Sequence, residues 1–210
     1  MEKTTIIDAM NWRYAGKIFD TTKKVSDDDL HTILEAGRLS PSVFGMEPWN
    51  FIVVKNPEIR EKLKAASYGQ PKVTDASHLI VIAARTDAGT VADELVARTA
   101  KTQGKTVEDL KGLSDMVHGS VAQHGEGTNA WLSRQCYIPL GSMIETASLL
   151  SIDSGPMEGF NPDEVDAILG LAQKNLRSTV ILALGYRGDD AYAKLPKTRM
   201  SFEDAVTIVE

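Results

Sequence analysis

A helical segment that is apolar on two faces constrains the fold of this chain more than any other feature. Within residues 130–150, one stripe at helical spacing contains Leu132, Cys136, Leu140, Met143, Ala147 and Leu150. A second, nearly as apolar, contains Tyr137, Gly141, Ile144 and Ser148. A helix apolar on most sides is buried on most sides, in a core or at a subunit interface. Pro139 predicts a kink, because proline removes a backbone hydrogen bond.

Three short apolar segments predict a sheet. Residues 79–84 are continuously apolar, as in a central strand, and residues 51–54 and 178–186 supply two further strands. The strands lie between helical patterns without regular βαβ spacing. The sequence therefore predicts one α+β domain over residues 1–210, with a central mixed or antiparallel sheet surrounded by helices. Residues 87–128 have thin apolar faces, so we expect a loosely packed excursion that covers a site.

Composition excludes several classes of function. The net charge of -6 leaves no basic surface for nucleic acid. The single cysteine allows no intrachain disulfide, and no apolar run approaches the roughly 18 residues of a membrane span, so we expect a soluble cytoplasmic protein. The motifs of P-loop, dinucleotide-fold, serine-hydrolase and zincin proteins do not occur. His118 and His124 lack the spacing of a metal-ligand pair, and Cys136 lies in an apolar stripe, so we expect neither a metal site nor a cysteine nucleophile.

Residues 152–160 form a glycine-bounded segment. Glycines at 155 and 159 flank Pro156, Met157 and Glu158, which allows a tight turn whose amides face a ligand. An ordinary strand-to-helix connection explains the same residues. Five cations could converge on one phosphate: Arg13 and Lys17 near the start of the chain, Lys72 in its middle, and Lys197 and Arg199 near its end. Taken singly, each is explained as a solvated surface charge.

Six motifs decide between these interpretations. They are Arg13-Tyr-Ala-Gly-Lys-Ile-Phe-Asp20, Ser40-Pro-Ser-Val-Phe-Gly-Met-Glu-Pro-Trp49, Gln70-Pro-Lys-Val-Thr-Asp-Ala-Ser-His78, Gln135-Cys-Tyr137, Pro156-Met-Glu-Gly-Phe160 and Leu195-Pro-Lys-Thr-Arg199. No single motif is specific. In this order and at this spacing, over nearly the whole chain, they resemble the motif series of the nitroreductase family of FMN enzymes.

The resemblance implies a nitroreductase-like fold and an intertwined, obligate homodimer with two FMN molecules at its interface. The implied cofactor-binding residues of one subunit are Arg13, Tyr14, Ala15, Lys17, Gln70, Lys72, Pro156, Met157, Glu158, Gly159, Lys197 and Arg199. Among them, the cations at 13, 17, 197 and 199 hold the phosphate and the polar edges of the flavin. Gln70 and Lys72 hold the ribityl chain and the pyrimidine edge, and the Glu158 amide points at flavin N5. The other subunit contributes Pro41, Ser42, Val43, Gly45 and Gln135.

Three positions depart from the family's pattern. Ala15 stands where relatives often have a serine that bonds the cofactor. Val43 and Phe44 make the rim over the ring more apolar, and Glu47 replaces a frequent glutamine. These departures put individual contacts in doubt but leave the flavin site intact.

The implied activity is transfer of hydride from NADH or NADPH through flavin N5 to nitroaromatic, quinone or similar electron-poor acceptors, in a ping-pong sequence. Lys17 or Lys72 would stabilise charge near N1 and O2, and no side-chain general base is expected. The predicted acceptor pocket contains Phe44, Met116, Val117 and His118. Two alternatives stay open: an FMN carrier or sensor with little turnover, and a flavin-dependent reductase or dehalogenase of another substrate.

Overall fold

The structure is a computed structural model that describes residues 3–210. Its helices are α1 (Lys3–Trp12), α2 (Asp27–Arg38), α3 (Pro57–Ala66), α4 (Lys72–Asp75), α5 (Ala88–Gln103), α6 (Lys111–His124), α7 (Thr128–Gln135), α8 (Tyr137–Leu149), α9 (Pro162–Leu169) and α10 (Phe202–Ala205). Its strands are β1 (Trp49–Val53), β2 (His78–Arg85), β3 (Asp153–Met157) and β4 (Leu176–Gly185). Side-chain caps begin several helices as their sequences predict, for example Ser26 at α2 and Asn56 at α3.

The strands form one sheet in the order β1-β2-β4-β3, and every neighbouring pair is antiparallel. The α+β prediction is confirmed, and the sheet is antiparallel rather than mixed. The strands expected at residues 51–54, 79–84 and 178–186 are β1, β2 and β4, with ends shifted by one or two residues.

Helices cover both faces of this sheet. Ile80 and Ile82 of β2 pack on the side of α2 and α8, whereas Leu79 and Val81 pack on the side of α3 and α9. Successive side chains of a strand point to opposite faces, so a strand covered on both sides must be apolar at every position. This explains why β2 has no polar alternation.

The segment of residues 130–150 is two helices rather than one kinked helix. The helix is interrupted at Cys136, which lies between α7 and α8. Pro139 lies in the first turn of α8, where a backbone amide has no partner within the helix. Most of the first apolar stripe is in the core, with Cys136 and Met143 fully buried. The second face is mixed in the protomer, since Tyr137 is 40% exposed whereas Ser148 is buried. The predicted choice between core and interface is thus resolved for one face.

The glycine-bounded segment is also different from the expected turn. Its first half is the edge strand β3, with Pro156 opposite Leu182 of β4. An edge strand tolerates proline because one of its sides forms no ladder with a neighbouring strand. The turn itself is shorter and starts at Glu158, whose carbonyl accepts a bond from the Phe160 amide at 2.8 Å.

The loose packing expected for residues 87–128 is wrong for α5. This helix buries Val91 and Leu95 in a cluster with Trp131 and Leu132 of α7. The prediction holds better for α6, which buries only Val117. That these residues cover the active site stays a prediction. Within residues 3–210, no helix has the length and apolar character that a membrane span requires.

Candidate functional site

One cavity lies between the segment after α1 and the segment before α10. Its volume is about 230 Å³, and its walls are Arg13, Tyr14, Ala15, Tyr192, Leu195, Pro196, Lys197 and Arg199. Five of these residues were predicted as cofactor-binding from the sequence: Arg13, Tyr14, Ala15, Lys197 and Arg199. The cavity therefore brings together groups from opposite ends of the chain.

The cations in this cavity repel one another. Burial lowers the pKa of Arg13, and the nearby charge of Arg199 lowers it further. Burial also lowers the pKa of Lys197, with added contributions from Arg13, Arg199 and Arg187. Within residues 3–210, neither Arg13, Lys197 nor Arg199 has a carboxylate within salt-bridge distance. Such a group of charges is suited to an anion with several oxygen atoms.

Lys197 also closes the end of the first helix. Its ammonium donates to the Met10 carbonyl at 2.8 Å and to the carbonyl of Asn11. The last carbonyls of a helix lack intrahelical partners and carry negative partial charge, which a cation stabilises. This contact fixes the C-terminal segment beside Arg13.

Asp190 joins the N-terminal loop to the C-terminal segment. The side chain is 2% exposed, and its Oδ2 accepts bonds from the amides of Lys17 and Ile18 at 3.1 and 3.3 Å. Its Oδ1 accepts a bond from the Tyr192 amide at 3.0 Å. The Lys17 ammonium then lies 3.6 Å from the centre of the Tyr192 ring, within cation–π range.

Lys72 lies beside the same loop but on the side of β3. Burial lowers its pKa, and the charge of Lys17 lowers it further. The loop contacts β3 through the Gly16 amide, which donates to the Ser154 carbonyl at 3.0 Å. A Cβ on Gly155 would lie 2.6 Å from the Gly16 carbonyl oxygen and 3.6 Å from Cδ of Lys72. Glycine at 155 therefore permits this close approach.

The turn after β3 is held by two long side chains. The Gln70 amide donates to the Gly159 carbonyl at 2.6 Å. The Tyr137 hydroxyl donates to the Glu158 carboxylate at 2.8 Å. Arg60 supports Gln70 and Lys72 indirectly, because its buried guanidinium donates to carbonyls of residues 73 and 76 in and after α4.

The loop of residues 41–45 forms a separate group. The Val43 amide donates to the Gln135 side chain at 2.9 Å, and Arg98 of α5 donates to the Gly45 carbonyl at 3.0 Å. Arg98 also pairs with Glu47 at 3.6 Å. None of these residues lines the cavity around Arg13 within the described chain. That they serve the partner's site stays a prediction.

The predicted acceptor residues differ in exposure. Phe44 is 39% exposed in the left-handed region of backbone space (φ 53°), which is uncommon for a bulky residue. Met116 is 59% exposed, and His118 bonds Asp93 of α5 at 2.9 Å. Val117 is fully buried, so its side chain faces the protomer core.

Two hydroxyl groups near the cavity are buried without a hydrogen-bond partner. One belongs to Tyr14, which lines the cavity, and the other to Ser154 of β3. Burial raises the pKa of Tyr14, and the charge and hydrogen bonding of the nearby Asp190 carboxylate raise it further. The Tyr14 phenol therefore lies near the Asp190 carboxylate, outside ideal hydrogen-bond geometry.

The other nucleophilic and metal-ligating candidates are structural. Cys136 is fully buried, and burial raises the pKa of its thiol to about 12. His124 stacks on Trp131 at 3.9 Å between ring centres. No group of three His, Cys, Asp or Glu side chains within residues 3–210 could hold a metal ion.

Sequence patterns missed Asp190, Tyr192 and Tyr137 as parts of the site. Asp190 looks like a local cap, because it does cap the short helical turn Ala191–Lys194. Its bonds to residues 17 and 18 are made across 173 and 172 positions. No short-range spacing signals such a contact.

Comparison with known proteins gives a consistent answer. A family model described as "Nitroreductase family" matches residues 10–186. A Staphylococcus epidermidis protein named "Putative NAD(P)H nitroreductase" is 41% identical over 216 residues, which covers 98% of this chain and 97% of that protein.

Solved structures share the fold. A crystal structure from Bacillus subtilis, described as that of a nitroreductase, has a TM-score of 0.87 at 17% identity, with full coverage of both chains. Another, from Exiguobacterium sibiricum and solved in complex with FMN, has a TM-score of 0.80 at 20% identity and covers 100% of this chain and 98% of that chain. At these identities the likeness concerns the fold.

Proposed function

The chain belongs to the nitroreductase family, and from this premise we propose that it transfers hydride from NADH or NADPH to electron-poor acceptors. It is an FMN-dependent NAD(P)H oxidoreductase, as its relatives' names and the FMN-bound fold neighbour support. The acceptors proposed are nitroaromatics, quinones and similar compounds, reduced in a ping-pong sequence.

The observation that carries this proposal is the cluster of like charges around one cavity. Arg13, Lys197 and Arg199 meet there although burial, and in addition their like charges, lower the pKa of Arg13 and of Lys197. A phosphate monoester carries close to two negative charges at neutral pH and offers several acceptor oxygens. The Tyr14 hydroxyl in the same wall is a further polar group. These groups fit the phosphate end of FMN.

The remaining residues fit the other parts of the cofactor. Gln70 and Lys72 would hold the ribityl chain and the pyrimidine edge, and the segment from Pro156 to Gly159 would lie against one ring face. In β3, the Ser154 carbonyl points away from β4 to bond Gly16. Backbone groups alternate between the two edges of a strand, so continuing this alternation one residue past β3 would direct the Glu158 amide to the same outer edge. Pro156, between them, has no N–H to offer.

When bound, FMN supplies the hydride acceptor and donor of the reaction. The protein's residues supply position and charge. Of the two lysines considered for stabilising charge at the pyrimidine edge, we favour Lys72, because the Lys17 ammonium is engaged over Tyr192. Lys72 is next to β3 and is partly desolvated, which strengthens its field.

The site is proposed to be completed by a second copy of the chain. Helix α1 buries none of its residues in the protomer, although Ile6 and Ile7 are apolar and exposed. Tyr137 and Ile138 at the start of α8 are also exposed. A homodimer would cover these surfaces and bring the partner's loop of residues 41–45, with Gln135, to the flavin.

A flavin-loading experiment tests the proposal. The purified protein, reconstituted with FMN and desalted, should keep the yellow absorbance of about one FMN per chain. Anaerobic mixing with NADH or NADPH should then bleach it within a turnover, and nitroaromatics or quinones should restore it. A colourless protein would refute the proposal. Bound flavin that stays yellow over minutes would favour the carrier or sensor, which Ala15 motivates. Bleaching without reoxidation by these acceptors would favour another substrate.

A further inference from the structure

The hydrogen bond between Tyr137 and Glu158 joins the start of α8 to the turn that follows β3. Tyr137 is the first residue of α8, and Glu158 is the first residue after β3. The phenol oxygen and the carboxylate oxygen are 2.8 Å apart. Both side chains are partly exposed, so this bond adds little to the core.

The direction of the bond is defined by the chemistry of the two groups. Burial and the Glu158 carboxylate raise the pKa of Tyr137 to about 12. The phenol therefore keeps its proton at neutral pH and donates to the ionised carboxylate, which gives a charge-assisted bond. The carboxylate is turned toward α8.

Buried side chains of Met157 and Phe160 anchor the turn on both sides, and further bonds hold its backbone. Gln70 holds the Gly159 carbonyl, and the Phe160 amide donates to the Glu158 carbonyl. Glycine at 159 gives the peptide between residues 158 and 159 wide rotational freedom. Of these contacts, only the Tyr137 bond restrains the Glu158 side chain.

We propose that Tyr137 is a positioning residue that, through the Glu158 carboxylate, fixes the orientation of the Glu158 peptide toward the flavin ring. The inference rests on the proposed function and concerns the same site. Two effects follow from the bond. It keeps the Glu158 amide directed to one place, and it keeps a negative carboxylate away from the ring, where reduction adds electron density.

Tyr137→Phe in the FMN-loaded protein removes only the hydroxyl. We expect the rate of FMN reduction by saturating NADH to fall about three- to tenfold, as for a partly exposed charge-assisted bond, while the FMN dissociation constant changes less than threefold. Tyr68→Phe is the matched control, because Tyr68 is 74% exposed and its hydroxyl makes no hydrogen bond within residues 3–210. It should leave the reduction rate unchanged.

A double-mutant cycle separates positioning from a general structural effect. In a Glu158→Ala background, Tyr137→Phe should have no further effect on the reduction rate, because its partner is gone. An equal loss in both backgrounds, or an unchanged rate in Tyr137→Phe alone, would overturn the inference. Failure of the wild-type protein to bind FMN would instead refute the proposed function, so the two failures are distinguishable.

Discussion

The Asp190 carboxylate accepts a hydrogen bond from the Lys17 amide at 3.1 Å, across 173 positions of sequence. Through this contact a buried acid at one end of the chain shapes the loop at the other end. The same carboxylate holds the Tyr192 amide, so the two walls of the cationic cavity are fixed relative to each other. The cavity is thus a product of chain closure rather than of either segment alone.

Asp190→Ala should therefore disturb both folding and cofactor binding. Three backbone amides lose their acceptor, and we expect a loss of about 1 to 3 kcal/mol in the free energy of unfolding, with weaker FMN binding. Asp189→Ala is the matched control, because Asp189 is an exposed neighbour that forms an ion pair with Lys194. Thermal unfolding and FMN titration measure both effects. Equal stability of the two variants would contradict the role of Asp190.

Arg199→Ala should weaken FMN retention by about 1.5 to 3 kcal/mol, the value for a lost charge-assisted hydrogen bond. The loss should shrink at high salt, because part of it is Coulombic and exposed. Arg134→Ala, which removes an exposed arginine elsewhere on the surface, is the control. Fluorescence titration with FMN gives the affinities. An affinity equal to that of the wild type would remove Arg199 from the phosphate site.

FMN affinity should depend on pH in a way set by Lys197. Its pKa is lowered by burial and by Arg13 and Arg199, so the ammonium loses its proton at a lower pH than an ordinary lysine. Affinity should be constant above the phosphate pKa of about 6 and decline before the ordinary lysine range is reached. Titrations from pH 5 to 10 measure this, and Lys197→Arg should extend the plateau. A decline at the same pH in that variant would contradict the assignment.

In the protein without ligand, the stability of the fold should change with pH in the opposite direction to FMN affinity: it should rise as pH rises through the titration of Lys197. A lysine whose folded pKa is lowered costs stability while it is charged. That cost is present below the folded pKa of Lys197 and disappears as pH rises toward the ordinary lysine value. Bound phosphate stabilises the charged form, so FMN binding should take up protons in this window.

The sheet could be predicted because its signals are local. Strand β2 is apolar from Leu79 to Ala84, between the polar residues at its two ends, and only a strand covered on both faces needs that composition. Strand β3 was missed because Pro156 and Gly155 read as a turn; its place at the edge of the sheet, which local sequence does not encode, makes them acceptable.

For the candidate site, the sequence indicated which residues take part but not the contacts that orient them. Resemblance located Arg13, Lys197 and Arg199, and the fold brings them together. The contacts that orient the site's segments join residues far apart in sequence. One example is the bond from Gln70 to Gly159, which spans 89 positions. The contacts of Asp190 and Tyr137 follow from the packing of whole elements, which no motif spacing contains.

Arg60 is predicted to support the cofactor site indirectly, by holding the backbone in and after α4, the helix that begins at Lys72. Its guanidinium is 8% exposed and donates to the carbonyls of Val73, Ala76 and Ser77, at 2.7, 2.6 and 3.4 Å. Arg60→Met should leave these carbonyls unsatisfied and lower the free energy of unfolding by at least about 1 to 3 kcal/mol, with weaker FMN binding through displaced Lys72. Chemical denaturation and FMN titration are the measurements. Arg38→Met, at an exposed ion pair, should change little.

The last prediction concerns the second copy of the chain. Ile7 of α1 and Ile138 of α8 are 60% and 39% exposed, and a charge at either position would be buried without a partner if these faces meet in a homodimer. Ile7→Glu and Ile138→Glu should therefore shift the protein to monomers, as measured by light scattering. Val107→Glu, at a residue 49% exposed and remote from both helices in sequence, should stay dimeric. Because the loop of residues 41–45 is proposed to complete the partner's site, monomers should also lose FMN. Monomers that keep full FMN affinity would show that each protomer binds the cofactor alone, and a composite site would then be wrong.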